Sequence, residues 1–189
     1  IKQHILKNYK TDESKIRLIH RCVNMENFNV ETTSAERMIK YLEDNNIPED
    51  KPIITLIGRL TNWKGQKLLI EALHLLENED FFCVMIGDDQ GRKKYSAELR
   101  KMIDNYNMTD RFLFIRNVKD IPAAMMVSDV VLSTSIEPEA FGRIAIEGQA
   151  MGRVVVASNI GGSVETVIDG VTGRLYESTS AKALAEAIE

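Results

Sequence analysis

Between Ile53 and Ala157, short apolar, β-branched runs alternate with longer stretches of helical period. The runs are Ile53 to Ile57, Phe81 to Ile86, Phe112 to Ile115, Val130 to Leu132 and Val154 to Ala157. Helices are predicted between them. Lys64 to Glu77 places Leu68, Leu69, Ala72, Leu73 and Leu76 on one face, and Lys93 to Asn107 carries Tyr95, Leu99, Met102, Ile103 and Tyr106. Ile121 to Ser128 and Gly142 to Met151 complete the set. Apolar strands that alternate with helices must be buried on both faces, which predicts an α/β domain with a Rossmann-like, doubly wound parallel sheet.

The segment ahead of this rhythm is mixed. Lys15 to His20 alternates like a short strand, and Ser34 to Asn45 reads as a helix capped by Thr33 or Ser34. Two prolines and two acids between Asn46 and Pro52 mark a boundary, so residues 1–50 are expected to lead into a main domain spanning 51–189. The start at Ile1 carries no signal peptide and no initiator Met, and Ala181 to Glu189 reads as a helix without a stop signal. Both ends are expected to be cut from a longer protein.

Hydrophobic residues at 44% and charged residues at 28% exclude a disordered chain. Lys and Arg number 24 against 28 Asp and Glu, a net charge of −4 that argues against nucleic acid or a whole-surface grip on an anionic membrane. Any anion must meet a local cluster of cations. Cys22 and Cys83 stand far apart without metal-ligand spacing, as two reduced thiols of a cytoplasmic protein would. No apolar run is long enough to span a membrane.

In doubly wound sheets ligands sit beyond the carboxyl ends of the strands. Those ends read Gly58-Arg59, Gly87-Asp88-Asp89, Arg116-Asn117, Ser133-Thr134-Ser135 and Ser158-Asn159. After the first run, Gly58 lets the backbone leave the sheet, Arg59 offers a fork of donors, and Lys64 adds a charge at the start of the next helix. Two cations beside a helix N-terminus suit a diphosphate. The loop matches neither the Walker pattern nor G-x-G-x-x-G, which weakens the NTPase and NAD-binding readings.

A second constellation runs from Glu137 to Glu147. Glu147 shares a helix face with Ile144 and Met151, and a carboxylate there must be paired or bind something. Glu139 precedes the helix, where its charge suits the dipole, and free N–H groups near Phe141 and Gly142 could hold a phosphate or a sugar hydroxyl. Gly148 lies within the helix at a cost of about 1 kcal/mol relative to alanine, for close packing or by tolerance. Gly161-Gly162 offers a second, weaker anion seat. His4, His20 and His74 have no partner spacing.

These residues together resemble the retaining glycosyltransferases of family 4, which have the GT-B fold. Gly58-Arg59-Leu60, Lys64-Gly65 and Leu69-Ile70-Glu71-Ala72 match one block. Glu139 to Glu147 matches the E-x7-E signature, and Gly152 to Ser158, Gly161-Gly162 with Glu165, and Asp169 to Gly173 match the closing blocks in order. Glu147-Gly148 and Arg153 depart from the usual Glu-Ala and proline.

The resemblance implies the C-terminal, donor-binding half of a two-domain enzyme, with the N-terminal acceptor domain outside this sequence. It implies that Arg59 and Lys64 neutralise the departing diphosphate, that Glu139 contacts the transferred sugar and that Glu147 holds the ribose hydroxyls. The backbone from Phe141 through Gly142 and Arg143 to Ile144 would support sugar and phosphate, and Val118 would edge the base. Gly58 shapes the donor loop. No cofactor and no metal are expected, so Asp88 and Asp89 are not assigned as a metal site. The substrate would be a UDP-sugar or GDP-sugar, and the acceptor a saccharide or lipid-linked glycan of a bacterial cell surface, such as lipopolysaccharide. The enzyme would be cytoplasmic, with peripheral membrane contact only at full length, and this piece alone inactive. The alternatives are a GT-B-like nucleotide-sugar epimerase or sugar phosphorylase, or a non-enzymatic Rossmann-like interaction module.

Overall fold

The structure is a computed structural model that describes residues 2–76 and 78–189. Six strands form one sheet: β1 (Ile53–Ile57), β2 (Phe82–Ile86), β3 (Phe112–Ile115), β4 (Val130–Ser133), β5 (Val154–Ser158) and β6 (Arg174–Tyr176). Their order is β3-β2-β1-β4-β5-β6, and every neighbouring pair is parallel. The chain winds outward from β1 to β3, returns to β4 beside β1, and winds outward again. The direction reverses between β1 and β4, where loops part and a ligand crevice opens.

Eight α-helices among the described residues accompany the strands: α1 (Lys2–Asn8), α2 (Ala35–Asn45), α3 (Gln66–Leu75), α4 (Lys93–Asn105), α5 (Ile121–Met126), α6 (Arg143–Ala150), α7 (Ser163–Thr166) and α8 (Ala181–Ile188). The period of two along each strand feeds two cores. Ile54, Leu56, Cys83, Met85, Leu132 and Val156 pack with Leu69 and Leu73 of α3, Leu99 of α4 and Leu184 of α8. On the other face Ile53, Val84 and Ile86 meet Tyr41 of α2 and Ala123 of α5. Val131, Val155 and Ala157 meet Ala145 of α6 and Met151. A Cβ on Gly148 would lie 3.0 Å from Val155 Cγ2 and 3.3 Å from Val131 Cγ1, so the glycine in α6 serves close packing on the sheet.

Two expectations need correction, and one strand had none. Lys15 to His20 is not a strand: Glu13–Lys15 is a 3-10 turn, and Leu18 and Ile19 lie exposed in unpaired backbone. Alternation predicts a strand only where a neighbour supplies the ladder, and no strand of the sheet pairs with this segment among the described residues. Lys64 lies outside the helix, in a 3-10 turn over Asn62–Lys64, and Gly65 caps α3 with φ +72°. The predicted end of that helix at Glu77 falls outside the described residues. Finally, β6 is a strand that no apolar run announced.

Candidate donor-binding site

The β1 loop is built from below. Gly65 sits under the end of β4, where a Cβ would come within 1.9 Å of the Thr134 carbonyl oxygen, and Thr134 Oγ1 donates to the Lys64 carbonyl at 2.8 Å. Only glycine fits both the positive φ and this approach. The buried Gln66 donates through Nε2 to the Arg59 carbonyl at 2.9 Å and accepts from Tyr95 Oη at 3.1 Å. The Ile136 N–H donates to the Trp63 carbonyl at 2.8 Å, stitching the β1 loop to the β4 loop. These bonds hold Arg59 and Lys64 on a fixed backbone. Trp63 lies beneath both cations, 4.5 Å from Lys64 Nζ and 5.9 Å from Arg59 Cζ to the ring centroid.

Lys64 and Glu139 form an ion pair through Glu139 Oε1, and Ser135 Oγ donates to the same oxygen. Their side chains are only 15% and 17% exposed, so the pair is well shielded from bulk water. The Glu139 backbone is tied separately, its carbonyl accepting from the Gly162 N–H at 2.7 Å.

A cleft of about 370 Å³ opens above these groups, lined by Gly58, Arg59, Trp63, Lys64, Glu139 and the run Ala140 to Ile144. The first-turn N–H groups of Arg143 and Ile144 have no partner among the described residues. The helix terminus offered to the cleft is therefore that of α6. Gly65 and Gln66, which open α3, are buried beneath the β4 rim and do not line it, which corrects the expected anion seat. Gly161 and Gly162 pack against the loop before α6 instead of forming a second seat: a Cβ on Gly161 would lie 2.6 Å from both Glu139 N and O.

Two predicted residues stand apart from this cleft. Val118 is half-buried and lines a separate groove with Tyr41 and Asn117, against α2. Glu147 lies one turn further along α6, half-buried, and its carboxylate has no hydrogen bond or ion pair among the described residues. Burial pushes its carboxyl above the ordinary glutamate range, partly offset by the nearby Arg143 charge. Asp88 is held by Arg116 Nε at 3.0 Å, and Asp89 accepts from Ser96 Oγ at 3.0 Å and the Gly91 N–H at 2.9 Å. The Arg116 bond holds the Asp88 carboxyl below its usual range. No group of three or more His, Cys, Asp or Glu among the described residues is arranged to hold a metal ion.

Two participants escaped the sequence reading. Gln66 was legible as a polar residue on the apolar face of α3, one turn before Leu69 and Ile70. Arg21 also lines the cleft, from a lead-in segment whose lack of periodicity gave no signal.

The profile of the glycosyl transferases group 1 family matches residues 38–189. A glycosyltransferase from Rickettsia africae ESF-5 has a crystal structure that superposes with a TM-score of 0.96 at 42% identity, over 99% of this chain and 49% of that one. Anabaena Alr3699/HepE in complex with UDP-glucose gives 0.87 at 27% identity, over 99% and 50%. Among curated proteins, the D-inositol 3-phosphate glycosyltransferase of Corynebacterium glutamicum strain R is 28% identical over 193 residues, covering 98% of this chain and 45% of the relative. The chain thus spans about half the length of the relatives it matches. A doubly wound sheet, the E-x7-E segment leading into α6 at its switch point and a matching profile over four-fifths of the residues converge: the chain belongs to the glycosyl transferases group 1 family, as a GT-B glycosyltransferase domain of the family 4 type.

Proposed function

We propose that this domain holds the nucleoside diphosphate of a nucleotide-sugar donor while a retaining enzyme transfers the hexose to a saccharide or lipid-linked acceptor of a bacterial surface glycan. The observation that carries the reading is the cleft at the switch point, where Arg59, Lys64 and the free N–H groups of α6 converge. A departing nucleoside diphosphate gains negative charge, and cations fixed before the reaction stabilise that charge without reorganising. Lys64 has three N–H donors; one engages Glu139, and the others remain for a phosphate. Glu139 faces the same cleft and accepts hydrogen bonds from the sugar. The Glu147 carboxylate, with no hydrogen-bond partner among the described residues, accepts from the ribose hydroxyls, and Val118 edges the base. In this reading side chains meet the leaving-group charge without a metal ion. Retention and the acceptor class follow the family resemblance.

The test is calorimetry with UDP, GDP, ADP and NAD, in EDTA and then with Mg²⁺, on the wild-type chain and on Arg59→Ala. UDP heads the series because the Anabaena neighbour carries it. The expected result is metal-independent binding of UDP or GDP that weakens about tenfold or more in the variant, as loss of a charge-assisted bond predicts. No binding to any nucleotide, or binding indifferent to Arg59, would overturn the proposal.

A further inference from the structure

Glu139 is fixed at one oxygen only. Oε1 receives both Ser135 Oγ from the end of β4 and Lys64 Nζ from the 3-10 turn after β1. No donor among the described residues reaches Oε2, which is not sealed from solvent. The backbone is anchored independently, since the Glu139 carbonyl accepts from Gly162. Ser135 is itself 3% exposed, and its hydroxyl has Glu139 as its partner. Two donors from different elements on one carboxylate oxygen leave the side chain little freedom to swing, which is the arrangement expected of a preorganised acceptor.

We infer that Ser135 is a positioning residue that, together with Lys64, pins Oε1 of Glu139 so that Oε2 faces the cleft to accept a hydrogen bond from a hydroxyl of the donor hexose. The inference rests on the donor-binding reading above and deepens it. Lys64 then has two tasks, orienting the sugar-binding carboxylate and attracting the diphosphate, whereas Ser135 has only the first. Removing the Ser135 hydroxyl should therefore separate sugar recognition from nucleotide recognition. A residue that merely supported packing would weaken both together.

The experiment measures affinities of this chain for UDP and UDP-glucose, and for GDP and GDP-mannose, in wild type, Ser135→Ala, Glu139→Gln and the double variant. Ser135→Ala should lower affinity for the sugar nucleotide about five- to tenfold while changing that for the matching diphosphate less than about twofold. The double variant should bind the sugar nucleotide no more weakly than Glu139→Gln alone, because Ser135 acts through Glu139. Equal weakening of diphosphate and sugar nucleotide by Ser135→Ala would overturn the inference, as would no change in either, additive losses in the double variant, or a Glu139→Gln protein that treats the two ligands alike. A wild-type chain that binds none of the four ligands would instead overturn the donor-binding reading itself.

Discussion

The N–H of Gly162 donates to the carbonyl oxygen of Glu139 at 2.7 Å, joining the loop after β5 to the loop before α6. The contact is close because neither Gly161 nor Gly162 has a side chain. A Cβ on Gly162 would stand 2.5 Å from the Phe141 carbonyl carbon, and one on Gly161, at φ +62°, 2.6 Å from the Glu139 backbone. The wall of the cleft is thus set by backbone packed on backbone. Glu139 is held at its main chain by one strand's loop and at its side chain by two others.

Replacing Gly162 by alanine should displace that wall. The clash is with main-chain atoms, so no rotamer relieves it, and overpacking of this kind costs about 1–3 kcal/mol. For a chain of this size the melting temperature should fall by roughly 3–10 °C. Calorimetric titration with UDP should show weaker binding in the folded variant. An unchanged melting temperature and affinity would show that the loop yields freely.

The β1 loop has a comparable support in Gln66. Gln66→Leu keeps the side chain's approximate size but strands the Arg59 carbonyl and the Tyr95 hydroxyl, both of which bond to Gln66. Leaving such groups unpaired costs about 1–3 kcal/mol each. Tyr95→Phe removes one donor and should cost less. Thermal melts of the two variants should rank in that order, and Gln66→Leu should weaken UDP binding more than Tyr95→Phe, because only Gln66 touches the loop that carries Arg59.

A third prediction concerns the helix layer. Arg37 of α2 donates to both carboxylate oxygens of Asp120, at 2.8 and 2.7 Å, and Asp120 Oδ1 accepts from the Ala123 N–H at 3.0 Å to cap α5. The Arg37 bond is the chief cause holding the Asp120 carboxyl below its usual range. A depressed carboxyl stabilises the fold above the pKa of the unfolded chain, near 3.9, and that stability is lost as pH falls through the lower folded value. Both side chains remain over a third exposed, so solvent screens the pair and the effect is modest. Asp120→Asn should melt about 2–4 °C lower at pH 7, with the gap closing below about pH 4.

Much of this fold was legible because burial on both faces favours strands that are apolar at most positions. Ile53–Ile57 matches its predicted bounds for that reason, its one polar residue, Thr55, being buried and bonded to Ser128 Oγ, whereas the half-buried edge strand Phe112–Ile115 matches through its run of four apolar residues. Arg174–Tyr176 was not legible: a three-residue edge strand beginning with an exposed arginine has no apolar run. Lys15 to His20 failed in the opposite sense, since its alternation is local and pairing is not. Within the site, the E-x7-E spacing located Glu139 in the loop before a helix and Glu147 on that helix, but it could not show that, of the two, Glu139 alone lines the cleft with the cations. The Ser135 and Lys64 bonds to Glu139 join chain segments whose approach depends on β1 and β4 being neighbours, and that adjacency belongs to the sheet order.

Glu147 supplies a final test, because its function and its stability should oppose one another. Burial raises its carboxyl pKa above that of the unfolded chain, where a glutamate titrates near 4.3. Between the unfolded and folded values the native state binds more protons, so stability falls as pH rises through this window. At pH 7 the full penalty of keeping a charged, half-buried carboxylate is present. Glu147→Gln should therefore melt higher than the wild type at pH 7, by up to about 3 °C given the group's partial exposure, with the gain shrinking as pH approaches 4. If the carboxylate accepts from ribose hydroxyls, the same substitution should weaken UDP binding about five- to tenfold, since a neutral amide replaces a charged acceptor. A variant more stable at neutral pH yet poorer at binding would identify Glu147 as a charge retained for its ligand. A variant that loses stability at pH 7 would instead place a protein partner on that carboxylate.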